Sequence, residues 1–240
     1  VTNAGVVTAV AIGKTNITAT VGTVVGTFVI EVVAEGTIVI TSPSPDTKNM
    51  IVDVNNAFHL GLDQELFYVK GEKGNCGNNV GMYENLHLYS NRKNGDGNTL
   101  TIYAAAGIAI KSIAFEWAAH TGAPTATFKY GAEEEAFTSD DQLAAFYAKE
   151  GLSVNGFSLK NTFHDTGASG NAQIRIASIR LMLEDAAPTS ILPGQPEKFV
   201  EAKTIQEFRA APDGFKAELT AVITNSGGFT AFAMEDATAA

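Results

Sequence analysis

Two short segments, Leu86-His87-Leu88-Tyr89 and Thr99-Leu100-Thr101-Ile102-Tyr103, carry the side chains best suited to gripping a ligand. In both, an aliphatic residue alternates with a polar-tipped one. Successive strand side chains point to opposite faces of a sheet. With Leu86, Leu88, Leu100 and Ile102 directed into a core, His87, Tyr89, Thr101 and Tyr103 point away from it. Arg92 and Asn94 follow in the adjoining turn. A sugar offers C–H patches between hydroxyls, so aromatic faces beside hydrogen-bonding tips are what holds it. The candidate carbohydrate-binding residues are therefore His87, Tyr89, Arg92 and Tyr103. The alternative is that a second sheet or a neighbouring domain covers this face.

Other reactive residue types fall in less telling patterns. Trp117 is the only tryptophan, but it keeps phase with Ile113 and Phe115, which favours a core role over a sugar platform. The turn Asn91-Arg92-Lys93-Asn94-Gly95-Asp96-Gly97-Asn98 has oxygen donors that could hold calcium. It lacks EF-hand spacing and the closing glutamate, so a hairpin turn is the better explanation. Structural calcium is the one cofactor option, and no other cofactor or metal is called for. Glu133-Glu134-Glu135 and Asp140-Asp141 read as solvated acids, the second pair as helix-capping. Cys76 is a lone loop thiol, and His59, His87, His120 and His164 follow no catalytic or zinc-binding signature. Ile12-Gly13-Lys14-Thr15 imitates the end of a phosphate loop, but the required first glycine is Thr8. These residues are not expected to catalyse a reaction.

The 240 residues carry 16 basic and 26 acidic side chains, a net charge of −10. Nucleic acid and anionic membrane both call for a dense basic face, so neither is an expected partner. A glycan or another surface protein is. No run reaches the roughly 20 apolar residues of a membrane span.

Short β-branched runs broken by 23 glycines point to an all-β architecture. The first 33 residues carry runs at Val6-Val7, Ile17–Thr20 and Thr27–Val33, with glycine turns at Gly5, Gly13, Gly22 and Gly26. About 33 residues cannot enclose a core alone. Ser42-Pro43-Ser44-Pro45-Asp46 marks a turn, and AAPTSILPGQP at 186–196 a seam. Strands are expected at Leu86–Tyr89, Thr99–Tyr103, Ile113–Trp117 and Gln173–Leu183. The last changes phase between Ile176 and Ile179, which predicts a β-bulge near Ala177-Ser178. Ser139-Asp140-Asp141-Gln142 predicts a helix running to Gly151, with Leu143, Phe146 and Tyr147 as its apolar stripe. Thr204-Ile205-Gln206-Glu207 predicts a second short helix, ending before Pro212-Asp213-Gly214. Strands from Phe215 to Ile223 and from Phe229 to Met234 follow.

Three resemblances accompany these patterns. The N-terminal V-T-x-x-G-x-V-T-A-V-A-x-G-x-x-x-I-T-A resembles the back half of the group 2 bacterial immunoglobulin-like domain, a module of secreted and surface proteins. The segments NTLTIYAAAG, IKSIAF and QIRIASIRL, at 98–107, 110–115 and 173–181, resemble strands of a carbohydrate-binding-module-like jelly roll from surface lipoproteins of glycan-degrading gut bacteria. The final FKAELTAVIT and FTAFAMEDAT are similar to the opening of an OB-like barrel. Together they imply β-sandwich modules in tandem: a partial Ig-like domain at 1–35, a jelly roll at 36–190 and the start of an OB-like domain at 191–240. The chain would then be a fragment of a longer bacterial surface lipoprotein, placed outside the cell. Its expected role is non-catalytic, binding a carbohydrate through the jelly roll. The alternatives are a structural stalk without a small ligand, or accessory modules of a hydrolase lying beyond Ala240.

Overall fold

The computed structural model describes residues 13–32, 37–41, 50–52, 60–200, 202–210, 216–220, 222–226 and 232–235. The expected strand at Val6-Val7, the turn at Ser42–Asp46, the loop at Pro212–Gly214 and His59 lie outside them. The chain divides into two compact units, Val1–Ile38 and Val39–Ala240.

In the first unit, β1 (Gly13–Val21) and β2 (Val24–Val32) form an antiparallel hairpin. Gly22 opens its two-residue turn with φ +61°, a conformation that side chains resist and tight hairpins need. Gly26 does not turn the chain. It pairs with Ala19 inside the ladder. Gly13-Lys14-Thr15 lies within β1, so no helix follows it.

The second unit holds the sandwich. Strand β3 (Thr37–Thr41) spans the unit boundary, followed by β4 (Met50–Ile51), β5 (Phe67–Glu72), β6 (Gly81–Met82) and β7 (Leu86–Tyr89). Then come β8 (Thr99–Ala104), β9 (Ala109–Trp117), β10 (Thr125–Tyr130), β11 (Glu133–Thr138) and β12 (Tyr147–Lys149). The last two sandwich strands are β13 (Gly156–Asn161) and the 12-residue β14 (Gln173–Glu184). One sheet has five strands in the order β11-β10-β13-β8-β5; the other has seven, β12-β9-β14-β7-β6-β4, with β3 also on β14. Every pairing with a described register in these sheets is antiparallel. The fold is all-β.

Alternation builds the core. Phe67 and Val69 of β5, Leu100 and Ile102 of β8, and Phe157 and Leu159 of β13 all face inward and are fully buried. From the other sheet, Leu88, Ile113, Phe115, Ile174 and Leu181 meet them. Phe115 packs edge-on against Phe128 at 5.3 Å and Phe157 at 5.9 Å, joining the two sheets through aromatic contacts. Each such ring contributes roughly 2–3 kcal/mol by leaving water.

The register of β14 against β9 slips between Ile176 and Ser178, the bulge that the phase change predicts. It brings Ile179 and Leu181 to the core side after Ile174 and Ile176, and all four are buried.

Two further expectations are corrected. Residues 139–145 form turns, and Tyr147–Lys149 then pairs with Phe115–Ile113 as an edge strand, so no helix reaches Gly151. The apolar stripe is divided accordingly: Leu143 is buried, Phe146 is exposed, and Tyr147 joins the aromatic end of the core. A short helix is marginal on its own, and the open ladder of β9 offers these residues better hydrogen bonds. The turn at 91–98 is not a hairpin either, because β7 and β8 belong to different sheets. It carries the chain across the sandwich.

Beyond the sandwich, α1 (Ile205–Ala210) begins with the expected capping box. The Thr204 N–H donates to Glu207 Oε2 at 2.9 Å, and the Glu207 N–H donates to Thr204 Oγ1 at 3.2 Å. Strands β15 (Ala202–Lys203) and β16 (Glu218–Leu219) pair in parallel. Strands β17 (Val222–Ser226) and β18 (Phe232–Glu235) form an antiparallel pair. No helix among the described residues is long and apolar enough to cross a membrane.

Candidate functional site

The sequence-derived residues separate in space. His87 and Tyr89 stand on the outer face of the seven-stranded sheet, Thr101 and Tyr103 on the outer face of the five-stranded one. Arg92 lies past the end of β7, where its Nη1 donates to the Thr166 carbonyl at 3.2 Å. The four candidates therefore do not form one surface. Tyr103 is only 5% exposed: Leu192 and Phe199 pack on its ring, and its hydroxyl donates to the Pro193 carbonyl at 2.5 Å. The covering element is residues 190–199, which belong to the same compact unit as the sheet.

That segment walls a groove of about 450 Å³ on the five-stranded sheet. Its floor is set by register. Lys70 stands opposite Thr101, Thr101 opposite Ser158, Ser158 opposite Lys129, and Lys129 opposite Glu134. One row thus crosses all five strands, about 19 Å at the usual spacing of about 4.8 Å. A second row runs Glu72, Thr99, Lys160, Thr127. The hydroxyls of Thr99, Thr101, Thr127 and Ser158 all line the groove, and none takes part in a side-chain hydrogen bond among the described residues. The three amines each have a carboxylate: Lys70 with Glu72 at 2.8 Å, Lys129 with Glu134 at 3.0 Å, and Lys160 with Asp96 at 2.6 Å. The hydrogen bond from Lys160 holds the Asp96 carboxyl below the usual range. The groove is rich in hydroxyls and electrostatically self-compensated.

A second buried side chain, Asn155, holds the wall together with Tyr103. Asn155 is 2% exposed; its Nδ2 donates to the Leu192 carbonyl at 3.1 Å and to Gln195 Oε1 at 2.6 Å. Its Oδ1 accepts the Leu192 N–H at 2.6 Å. Gln195 in turn donates to the Ala104 carbonyl at 2.8 Å. No local sequence pattern marks Asn155 and Gln195, because the latch joins segments 37 residues apart. A more apolar hollow of about 660 Å³ lies between Ala105–Gly107 and Pro196–Val200.

On the seven-stranded sheet, Tyr83, His87 and Tyr89 make a run of rings, with centroids 5.0 Å and 6.1 Å apart. Burial, and then the neighbouring Arg175, push the His87 pKa down. Burial and the bond to the Tyr83 hydroxyl push Tyr89 up to about 12.

The remaining candidates serve the fold. Trp117 is half-buried, stacks on Phe115 at 4.9 Å and donates to the Gln142 carbonyl at 2.9 Å. Glu135, one of the acids read as solvated, instead accepts from Tyr130 at 2.9 Å, from Tyr147 at 2.5 Å and from Lys149. Asp96 accepts from Asn75 as well as Lys160. Among the described residues no three His, Cys, Asp or Glu side chains gather to hold a metal. Cys76 is buried with its Sγ 3.2 Å from the Tyr89 carbonyl, and burial raises its pKa, away from the reactive thiolate.

Compared with protein-family models, curated proteins and solved structures, the chain matches none.

Proposed function

We propose that this chain is a non-catalytic binding and spacing region of an exported bacterial cell-surface protein, and that its sandwich holds a neutral carbohydrate in the groove on the five-stranded sheet. One observation supports this most: four hydroxyls, Thr99, Thr101, Thr127 and Ser158, line one groove with no side-chain hydrogen bond of their own. Hydroxyls in register are suited to the hydroxyls of a sugar. The paired amines leave no net field to select an anion or a cation. Tyr103 positions the wall rather than stacking on the ligand. Binding by a shallow preformed face is weak for one module and rises when modules are linked.

Affinity-gel electrophoresis with neutral polysaccharides tests this reading. Retardation by at least one of them, lost in a Thr101→Val/Ser158→Ala variant with unchanged melting temperature, is the expected result. No retardation by any polysaccharide would refute it and leave the stalk as the working description.

A further inference from the structure

The opposite face of the sandwich holds a different constellation. Arg175 of β14 stands directly across from His87 of β7, and Gln173 across from Tyr89. The Gln173 Oε1 accepts from Arg175 Nε at 3.2 Å and from Nη2 at 3.0 Å, which sets the guanidinium plane and leaves Nη1 without a partner among the described residues. Each groove lysine has a carboxylate; Arg175 makes no ion pair among the described residues, although the chain carries a net charge of −10. Glu84 acts on His87 electrostatically.

The rings beside it are seated rather than incidental. A Cβ at Gly81 would stand 2.7 Å from Cε2 of Tyr83, so only glycine lets that ring lie over β6 next to His87. A guanidinium with a free edge matches the geometry of a carboxylate. Half-buried aromatic rings match the C–H face of a pyranose.

We propose that Arg175, Tyr83, His87 and Tyr89 form a second binding site, for a carboxylate-bearing sugar whose ring lies on the aromatic run and whose carboxylate meets Arg175. His87, neutral at physiological pH, adds a hydrogen bond to a sugar hydroxyl without adding charge. This site is independent of the groove and takes the opposite ligand class, acidic instead of neutral.

Isothermal titration of the full chain with trigalacturonate, and with its methyl-esterified, uncharged counterpart, tests the proposal. Trigalacturonate is expected to bind, and esterification or Arg175→Gln to weaken it by about tenfold or more, the usual loss for a charged hydrogen bond. Tyr83→Ala should weaken binding too, while Thr101→Val/Ser158→Ala leaves it unchanged. Should Arg175→Gln fail to fold, the ester comparison on the native chain still decides. Absence of binding, equal binding of acid and ester, or loss through the groove variant would each overturn it.

Discussion

Asn155 and Leu192 exchange a reciprocal pair of hydrogen bonds, the side-chain amide donating to the Leu192 carbonyl at 3.1 Å and accepting its N–H at 2.6 Å. A side chain here imitates a strand partner and pins the wall of the groove to the sheet. Asn155→Ala would leave a buried carbonyl and N–H unpaired, at a cost of about 2–3 kcal/mol. The Leu192 amide should then exchange with solvent far faster than in the native chain, which hydrogen-exchange mass spectrometry reads directly. Unaltered protection at Leu192 would show that the wall is held by something else.

Gly156 faces Tyr103 across β13 and β8, and a Cβ there would stand 2.6 Å from both the Ile102 carbonyl oxygen and Cδ1 of Tyr103. Gly156→Ala must displace the ring or part the strands. A destabilisation of about 1–3 kcal/mol is expected by thermal melting, with loosened packing of Tyr103 on Phe199. A neutral or stabilising effect would contradict the close approach.

The strands at Leu86–Tyr89, Thr99–Ala104, Ala109–Trp117 and Gln173–Glu184 and their inward faces were readable in the sequence because burial imposes a period of two. Strands β5, β10, β11 and β13 and the order within each sheet were not. Leu86, Leu88, Leu100 and Ile102 are buried as that alternation requires. The bulge at Ala177-Ser178 was readable for the same reason, and the Thr204–Glu207 box because its partners are three residues apart. Alternation names a face, however, and not the sheet that owns it. His87 and Tyr103 therefore looked like neighbours although a sandwich core separates them. The Ser139–Gly151 segment misled because its capping pattern is local, whereas the β9 edge that recruits Tyr147 is distant in sequence. The groove row was out of reach, since it needs the register of five strands at once.

Glu135 joins Tyr130, Tyr147 and Lys149 at one end of the sandwich. Burial alone would raise its pKa, but the hydrogen bonds from Lys149, Tyr147 and Tyr130 outweigh it and hold the carboxyl below its ordinary 4.5. The folded state thus prefers the carboxylate more than the unfolded chain does. The stability it contributes is complete above pH 4.5 and drains away as pH falls through the folded value. Glu135→Gln should cost about 1 kcal/mol at neutral pH. In melts across pH, the gap between the two proteins should close in acid; a constant gap would contradict the network.

His120 accepts the Arg175 N–H on Nδ1 at 3.0 Å, so its proton sits on Nε2, 3.0 Å from the Leu143 carbonyl. Burial presses its pKa below the ordinary 6.5, against the opposing pull of that carbonyl. Unfolding therefore takes up a proton, and stability falls as pH drops from 6.5 towards the folded value. Imidazole NMR should show titration below 6.5, and His120→Gln should flatten that part of the stability profile. Titration at or above 6.5 would be inconsistent with the bonded, neutral ring.

On the proposed function, the five-stranded sheet presents its hydroxyl-lined groove to a neutral sugar. A nitrogen-15 NMR titration of the chain with neutral oligosaccharides addresses it most directly. Saturable shifts are expected at the amides of Thr101, Thr127, Ser158 and Gly194, which line the groove. Amides unmoved by every sugar in the panel, or shifts confined to another surface, would contradict it.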